Sequence, residues 1–431
     1  MDERRHARYT NSKFVKEFPP PSENIPLNTK PDYPDVLAAI QAFQSQGGTR
    51  IVVHEIGKSL QGRAIPAVTL TDPALPAAEK QHLLVYAGQH GSEESGRAIA
   101  LALIEFLLSN EPLAAETLRK MIVVVIPCMN PDSTVYRNAA GVDIAHTFKR
   151  GQPAGTPEGQ ALEAFALKFV PDFCLDIHGL AGGSMKDRVW LIPPLPFGPD
   201  AFFLTEIGRR MTEAAEADGF PQLETVPPGN FRGNEENLCL LGDKLAGEYK
   251  TLCLGMETIE DYYREEEWRA DGMARLRALL KIGLEDTFGL GEPGFPTTLV
   301  SGSRVIGLKA CGATVAERRE NRVALTRFLR DNFAMVERGA DGADGCAKVS
   351  VSSKTVNGEN PGRFALILRL KKPCTLQAVE WDGQPLNAGA AHGYRVWENE
   401  NSLLVQANLH TPFGGSERRL IVRYQSPHLE Q

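Results

Sequence analysis

The chain has 431 residues, 42% of them hydrophobic, and a formal net charge of −7. That length supports a large buried core and more than one domain. A negative balance with a pI near 5.8 excludes a broad electrostatic attraction to nucleic acid or anionic lipid, whose binders cluster Lys and Arg, so neither is an expected partner.

The first eight residues, Met1 to Arg8, are polar and lack the apolar stretch of a secretory signal. No run approaches the ~20 apolar residues that a helix needs to cross a bilayer. A soluble, cytoplasmic protein is expected. Residues 1–31, rich in charge and proline, read as an arm. The seven cysteines form no CxxC pair and sit mostly in apolar runs, which predicts reduced, buried thiols.

From Tyr33 the pattern becomes regular. Helical spacing over 34–46 closes on Gly47-Gly48, and short strands follow at 51–56 and 65–69. A strand at 83–86 leads to a helix at 95–108, and one at 122–126 precedes a helix at 158–169. Further strands at 173–178 and 251–256 come before a helix at 268–282. Continuous apolar strands separated by helices predict an α/β fold, a mostly parallel mixed sheet with helices on both faces. Ligands in such sheets gather outside the carboxyl ends of the strands.

After Gly289 the texture changes. Gly289-Leu290-Gly291-Glu292-Pro293-Gly294 matches GxGxxG, but it follows a helix and contains proline, so it reads as a linker. A charged helix at about 314–333 and a glycine-rich stretch at 339–345 come next. Short alternating runs at 349–352, 364–370, 378–381, 403–407 and 420–424 predict a small antiparallel sandwich. The expected division is an arm (1–31), a catalytic α/β domain (32–290), a linker with a helix (291–345) and a carboxy-terminal all-β domain (346–431).

Chemistry concentrates where the predicted strands run out. His90 and Glu93 follow the first, His178 closes another, and Glu257 follows a third. Two histidines and a glutamate suit catalytic zinc, because the fourth coordination position stays open for water or substrate. Residues i and i+3 share a face if a helical turn starts at the strand end, so His90 and Glu93 can reach one ion. Gly179, beside His178, admits close approach of a bound group. The bland alternatives are that Glu93-Glu94 complements a helix dipole and that His178 is a hydrogen-bonded structural residue. The meeting of three groups at one sheet edge favours a zinc hydrolase with a single Zn2+. No GxSxG elbow follows any predicted strand, and no P-loop is present.

The order of these pieces resembles the M14 family of zinc carboxypeptidases. The similarity covers about Tyr33 to Gly289, with Ile56-Gly57-Lys58-Ser59-Leu60-Gln61-Gly62-Arg63, His90-Gly91-Ser92-Glu93, Asn130-Pro131-Asp132, Arg137-Asn138-Ala139-Ala140-Gly141-Val142-Asp143, Asp176-Ile177-His178 and Glu257 in the family's order. The resemblance implies His90, Glu93 and His178 as zinc ligands and Glu257 as general base and acid, with Glu260 as the competing carboxylate. It implies that Asp143 orients the first histidine and that Arg137 polarises the scissile carbonyl.

Where the family reads Gly-Val-Asp-Leu-Asn-Arg-Asn-Phe, this chain has Gly141-Val142-Asp143-Ile144-Ala145-His146-Thr147-Phe148. The Asn-Arg pair that clamps a terminal carboxylate is replaced by Ala145 and His146. His146 either contacts substrate or fills the space, and Arg232 either supplies another clamp or is a solvated loop charge. Tyr249, Tyr262 and Tyr263 lie near Glu257, but no motif gives one of them the family's mobile-tyrosine role. The resemblance implies zinc-dependent hydrolysis of a peptide or amide bond. The alternatives are a deacylase of N-acyl amino acids on the same scaffold and, least favoured, a non-catalytic binding protein.

Overall fold

The structure is a computed structural model that describes residues 28–148, 152–180, 188–191, 199–220, 224–226, 240–249, 251–260, 264–286, 305–310, 314–322, 333–337, 346–353, 364–389, 393–398, 402–409 and 418–425. Most of the expected arm, the 289–294 linker, Arg232, Tyr262 and Tyr263 lie outside the described residues.

Helix α1 (Tyr33–Gly47) opens on a capping box. Asp32 accepts the Asp35 N–H while the Asp35 carboxylate accepts the Asp32 N–H. Its buried face is Val36, Ala39, Ile40 and Phe43, at helical spacing. An antiparallel pair follows, β1 (Ile51–Lys58) and β2 (Ala64–Leu70). Then come β3 (Gln81–Ala87), α2 (Glu94–Leu108), α3 (Pro112–Lys120), β4 (Met121–Ile126), α4 (Pro157–Phe169) and β5 (Phe173–Leu180). The α/β part continues through β6 (Arg188–Leu191), α5 (Pro199–Ala217), β7 (Glu224–Val226), α6 (Leu241–Tyr249), β8 (Leu252–Ile259) and α7 (Glu265–Asp286).

These strands form one eight-stranded sheet in the order β1-β2-β4-β3-β5-β8-β6-β7. The central four, β4, β3, β5 and β8, are parallel, while β1, β2 and β6 enter antiparallel. This is the mixed, mostly parallel sheet expected. Successive side chains point to opposite faces, so Leu83, Val85 and Ala87 pack into one core cluster and Leu84 and Tyr86 into the other. The first cluster draws residues from α1, α2, α3, α5 and α7, the second from α4 and α6. Burial on both faces is why the central strands read as unbroken apolar runs.

Strand β3 lies between β4 and β5, so the chain leaves β3 to one side of the sheet and returns to the other. Loops at the carboxyl ends of β3 and β5 therefore diverge and leave a crevice. The fold has put both expected histidines there.

The carboxy-terminal region contains β9 (Val305–Ala310), β10 (Phe333–Glu337), β11 (Cys346–Ser353), β12 (Phe364–Lys371), β13 (Thr375–Trp381), β14 (Gln384–Pro385), β15 (Asn387–Ala388), β16 (Gly393–Glu398), β17 (Ser402–Leu409) and β18 (Arg418–Gln425). They make two five-stranded sheets, β10-β11-β18-β13-β14 and β15-β16-β17-β12-β9. Leu368 and Val405 from one sheet and Val379 and Val422 from the other share a core, which is a sandwich packing. Among the described residues, two strands and a helical segment lie between residues 291 and 345. The 291–345 stretch is more than linker and helix, since β9 pairs with β12 and β10 with β11. The helix expected over 314–333 is described only at 315–322, and Phe333 opens β10. Both strands are short and their partners are distant in the chain, so local periodicity gives them little signal.

Among the described residues, Cys128, Cys174, Cys253 and Cys346 are buried free thiols. No single helix among them is long and apolar enough to cross a membrane.

Candidate metal centre

Strand β3 ends at Ala87, and Gly88 turns the chain with φ +67°, a conformation that glycine adopts without a steric penalty. The next residues are not yet helix. The Glu93 N–H bonds to the His90 carbonyl at 3.2 Å, and α2 starts only at Glu94. The spacing argument therefore holds for a different reason than expected: a turn closed by an i to i+3 bond, rather than a first helical turn, sets His90 beside Glu93.

The second histidine comes from β5. That strand and β8 run past the expected ends, to Leu180 and Ile259, so His178 and Glu257 sit inside the ladder as direct register partners. Parallel pairing places His178 and Glu257 side by side on one face. Asp176 shares that face two residues earlier.

Three side chains meet in the crevice. His90 Nδ1 is 2.7 Å from Glu93 Oε1, His178 Nδ1 is 2.9 Å from Glu93 Oε2, and the two Nδ1 atoms are 3.2 Å apart. All three residues are buried. Each imidazole is backed at its other nitrogen by a carboxylate: His90 Nε2 lies 3.0 Å from Asp143 Oδ1, and His178 Nε2 lies 2.9 Å from Asp176 Oδ1. Gln89 Nε2 donates to both Asp176 oxygens, at 2.9 and 3.0 Å.

The electrostatics are those of a tightly coupled cluster. Burial alone would raise the Glu93 carboxyl, but His178 and His90 outweigh it and hold Glu93 down at about 2. Burial alone would lower both histidines. The carboxylates of Asp143 and Glu93 nevertheless raise His90, and those of Asp176 and Glu93 raise His178 well above its ordinary value.

The donor set fits zinc. Two imidazole nitrogens and a carboxylate are borderline ligands of the kind found at open catalytic sites, whereas closed structural sites are built largely from thiolates. Ligands at ~2.0–2.1 Å around a tetrahedral ion lie ~3.3 Å apart, close to the 3.2 Å between the Nδ1 atoms. Nε2 atoms turned to carboxylates leave each Nδ1 lone pair facing the centre, the arrangement that metal-bound histidines usually show.

The remaining expected residues are placed as follows. Asp143 backs His90 and also takes His146, whose Nδ1 lies 2.8 Å from Asp143 Oδ2. The two histidines hold Asp143 well below the usual carboxylate range against the opposing effect of burial. His146 is half-exposed at the rim, and Ala145 is buried in the second core cluster. Arg137 is exposed and donates from Nη1 to the Gly141 carbonyl at 3.2 Å. Glu260 points elsewhere than Glu257, with Oε1 accepting the Ser95 N–H at 2.7 Å.

Sequence reasoning missed two further residues at the cluster. The Tyr136 ring stacks on His90, with centroids 3.8 Å apart and planes 20° from parallel. Asp176, noted only as a neighbour of His178, proves to be its partner. Its place two residues before His178 in a strand was the available signal; Tyr136 had none.

Comparisons with known proteins point to zinc carboxypeptidases. The family model described as zinc carboxypeptidase, Peptidase_M14, matches residues 36–163, a span that contains His90, Glu93 and Asp143 but not His178 or Glu257. Carboxypeptidase 2 of Trichophyton rubrum is 31% identical over 146 residues, which is 32% of this chain and 27% of that protein. The matched part thus spans about a quarter of that relative's length. In three dimensions the chain is similar to a metallo-carboxypeptidase from Burkholderia cenocepacia, with a TM-score of 0.50 at 22% identity over 59% of this chain and 69% of that one. It is likewise similar to thrombin activatable fibrinolysis inhibitor, with a TM-score of 0.51 at 14% identity over 59% and 74% of the two chains. At these identities the structural likeness speaks for the fold.

Proposed function

We propose that this chain, which is similar to the M14 zinc carboxypeptidases over part of its length, hydrolyses a peptide or amide bond with one zinc ion held by His90, Glu93 and His178. One observation carries the reading: both Nδ1 atoms and the Glu93 carboxylate converge within 3.2 Å while each Nε2 is backed by a carboxylate.

Zinc bound there supplies Lewis acidity, which polarises a carbonyl oxygen and acidifies water toward a pKa of ~7. The rest falls to the chain. Glu257, register partner of His178, takes a proton from the attacking water and passes it to the departing amine nitrogen. Arg137, permanently charged, stabilises negative charge as it develops on the carbonyl oxygen. Asp143 fixes the tautomer and ring angle of His90. His146, bound to Asp143 at the rim, is placed to meet substrate.

A second reading is supported by the clamp segment. Ala145 is buried, and His146 is engaged with Asp143. An imidazole already shared with Asp143 cannot supply the bidentate fork of arginine. The second reading is therefore an atypical amide, such as a modified or isopeptide-linked amino acid, beside the peptide hydrolysis proposed first.

The test is metal analysis of the purified protein followed by a screen of peptides and N-acyl amino acids on wild type and Glu257→Gln. The expected result is one zinc per chain in both proteins and a rate ~10²–10⁴ lower in the variant. An unchanged rate removes Glu257 from its role. Release of carboxy-terminal amino acids from peptides selects the first reading, and cleavage restricted to acyl amino acids selects the second.

A further inference from the structure

Helix α2 carries an unusual amino terminus. Its N-cap residue is Glu93, which makes no side-chain capping bond. An N-cap side chain ordinarily accepts an N–H of the first turn, where donors have no partner inside the helix. Both Glu93 oxygens are turned the other way, to His90 and His178, and Oε2 also accepts the Gly179 N–H at 3.2 Å.

The cap comes from elsewhere. Glu260 Oε1 accepts the Ser95 N–H at 2.7 Å, across 165 residues of chain. Glu260 follows directly on β8. Within that strand Leu254 and Met256 pack on the face covered by α2, whereas Glu257 belongs to the opposite set beside His178. Strand alternation thus lets one short segment present Glu257 to the crevice and Glu260 to the helix that begins at Glu93.

The space for this carboxylate is made by glycine. A Cβ added to Gly179 would lie 2.2 Å from Glu260 Oε1 and 2.4 Å from Ser95 Oγ. Gly179 follows His178 immediately, so the cap, the helix start and two of the three converging residues share one packed corner.

We propose that Glu260 is a positioning residue: it caps α2 in place of Glu93 and so holds Glu93 turned toward the metal. This rests on the reading of His90, Glu93 and His178 as the zinc ligands. An anionic acceptor at a helix amino terminus also complements the dipole. Glu260 therefore acts on the metal centre through the orientation of Glu93, without touching the reacting atoms.

The test compares wild type with Glu260→Ala, Glu260→Gln and Gly179→Ala by zinc titration against a competing chelator and by the absorption spectrum of the cobalt(II)-loaded proteins. Glu260→Ala is expected to bind zinc ~10–100-fold more weakly, the usual loss when a residue supporting a ligand is removed, with a changed cobalt spectrum. Glu260→Gln keeps the accepting oxygen and is expected to recover most of the affinity and the wild-type kcat, which a general base replaced by an amide would not. Gly179→Ala, whose methyl displaces the carboxylate, is expected to behave like Glu260→Ala. Wild-type affinity and spectrum in Glu260→Ala, or a loss in Glu260→Gln equal to that in Glu260→Ala, would overturn the proposal while the metal site itself stands. A wild-type protein that binds no zinc would remove both.

Discussion

Both histidines of the crevice are held from behind, and the strength of that hold can be measured. Removing the carboxylate from His90 leaves its ring to choose tautomer and angle alone. Asp143→Asn is therefore expected to weaken zinc binding by ~10–100-fold in a chelator competition. His146→Ala, which removes one other partner of Asp143 and leaves the Ala145 N–H on it, is expected to cost less; an equal loss would make His146 part of the hold. His90, Glu93, His178 and Glu257 stood out as candidates because each follows an apolar run in the chain. Asp143 and Arg137 needed the resemblance. Tyr136 and Glu260 were illegible in these roles, since a stacked ring and a cap from 165 residues away leave no local pattern.

At the scale of elements, the crevice depends on how β3 passes into the turn that holds His90 and Glu93. Gly88 makes that passage at φ +67°, and an added Cβ would lie 3.2 Å from both the Cys128 Cα and the Pro127 carbonyl oxygen. Backbone atoms cannot step aside as a flexible side chain can. Gly88→Ala is expected to destabilise the protein by ~1–3 kcal/mol, read as a lower denaturant midpoint with an unchanged slope; wild-type stability would show that the turn tolerates a side chain. The central strands were readable because burial on both faces makes them continuous apolar runs. Helix α5 was not among the expected elements, although Leu204, Ile207, Met211 and Ala215 are among its described buried positions, at near-helical spacing. The signal was present there, but diluted by the charged residues between.

Across the whole molecule, the helical segment 315–322 is locked to the α/β sheet at the end away from the crevice. Arg319 and Arg322 both reach the fully buried Asp172, and Asp172 Oδ2 accepts the His82 N–H at the start of β3. Arg319 also donates to the Lys80 carbonyl and Arg322 to that of Pro171. A domain edge at 290 would cut this clamp, which no sequence pattern announces because its partners are about 147 residues apart. Asp172→Asn leaves two buried guanidinium groups short of their carboxylate and is expected to cost ~3–5 kcal/mol of stability. Burial alone would raise the Asp172 carboxyl, but Arg322 and Arg319 hold it below its ordinary value. A depressed carboxyl stabilises the fold fully above its unfolded pKa of ~3.9 and loses that contribution as pH falls through the folded value. Denaturant unfolding from pH 7 down to pH 3 should therefore show a steeper acid loss in wild type than in Asp172→Asn, and parallel curves would contradict the assignment.

Anomalous diffraction at the zinc edge, on crystals grown with stoichiometric zinc, interrogates the metal centre itself. The expected result is one peak per chain, bound by His90 Nδ1, the Glu93 carboxylate and His178 Nδ1, that disappears in His178→Ala. A peak bound by other residues, or none at full zinc loading, would contradict the reading of this crevice as a zinc hydrolase site.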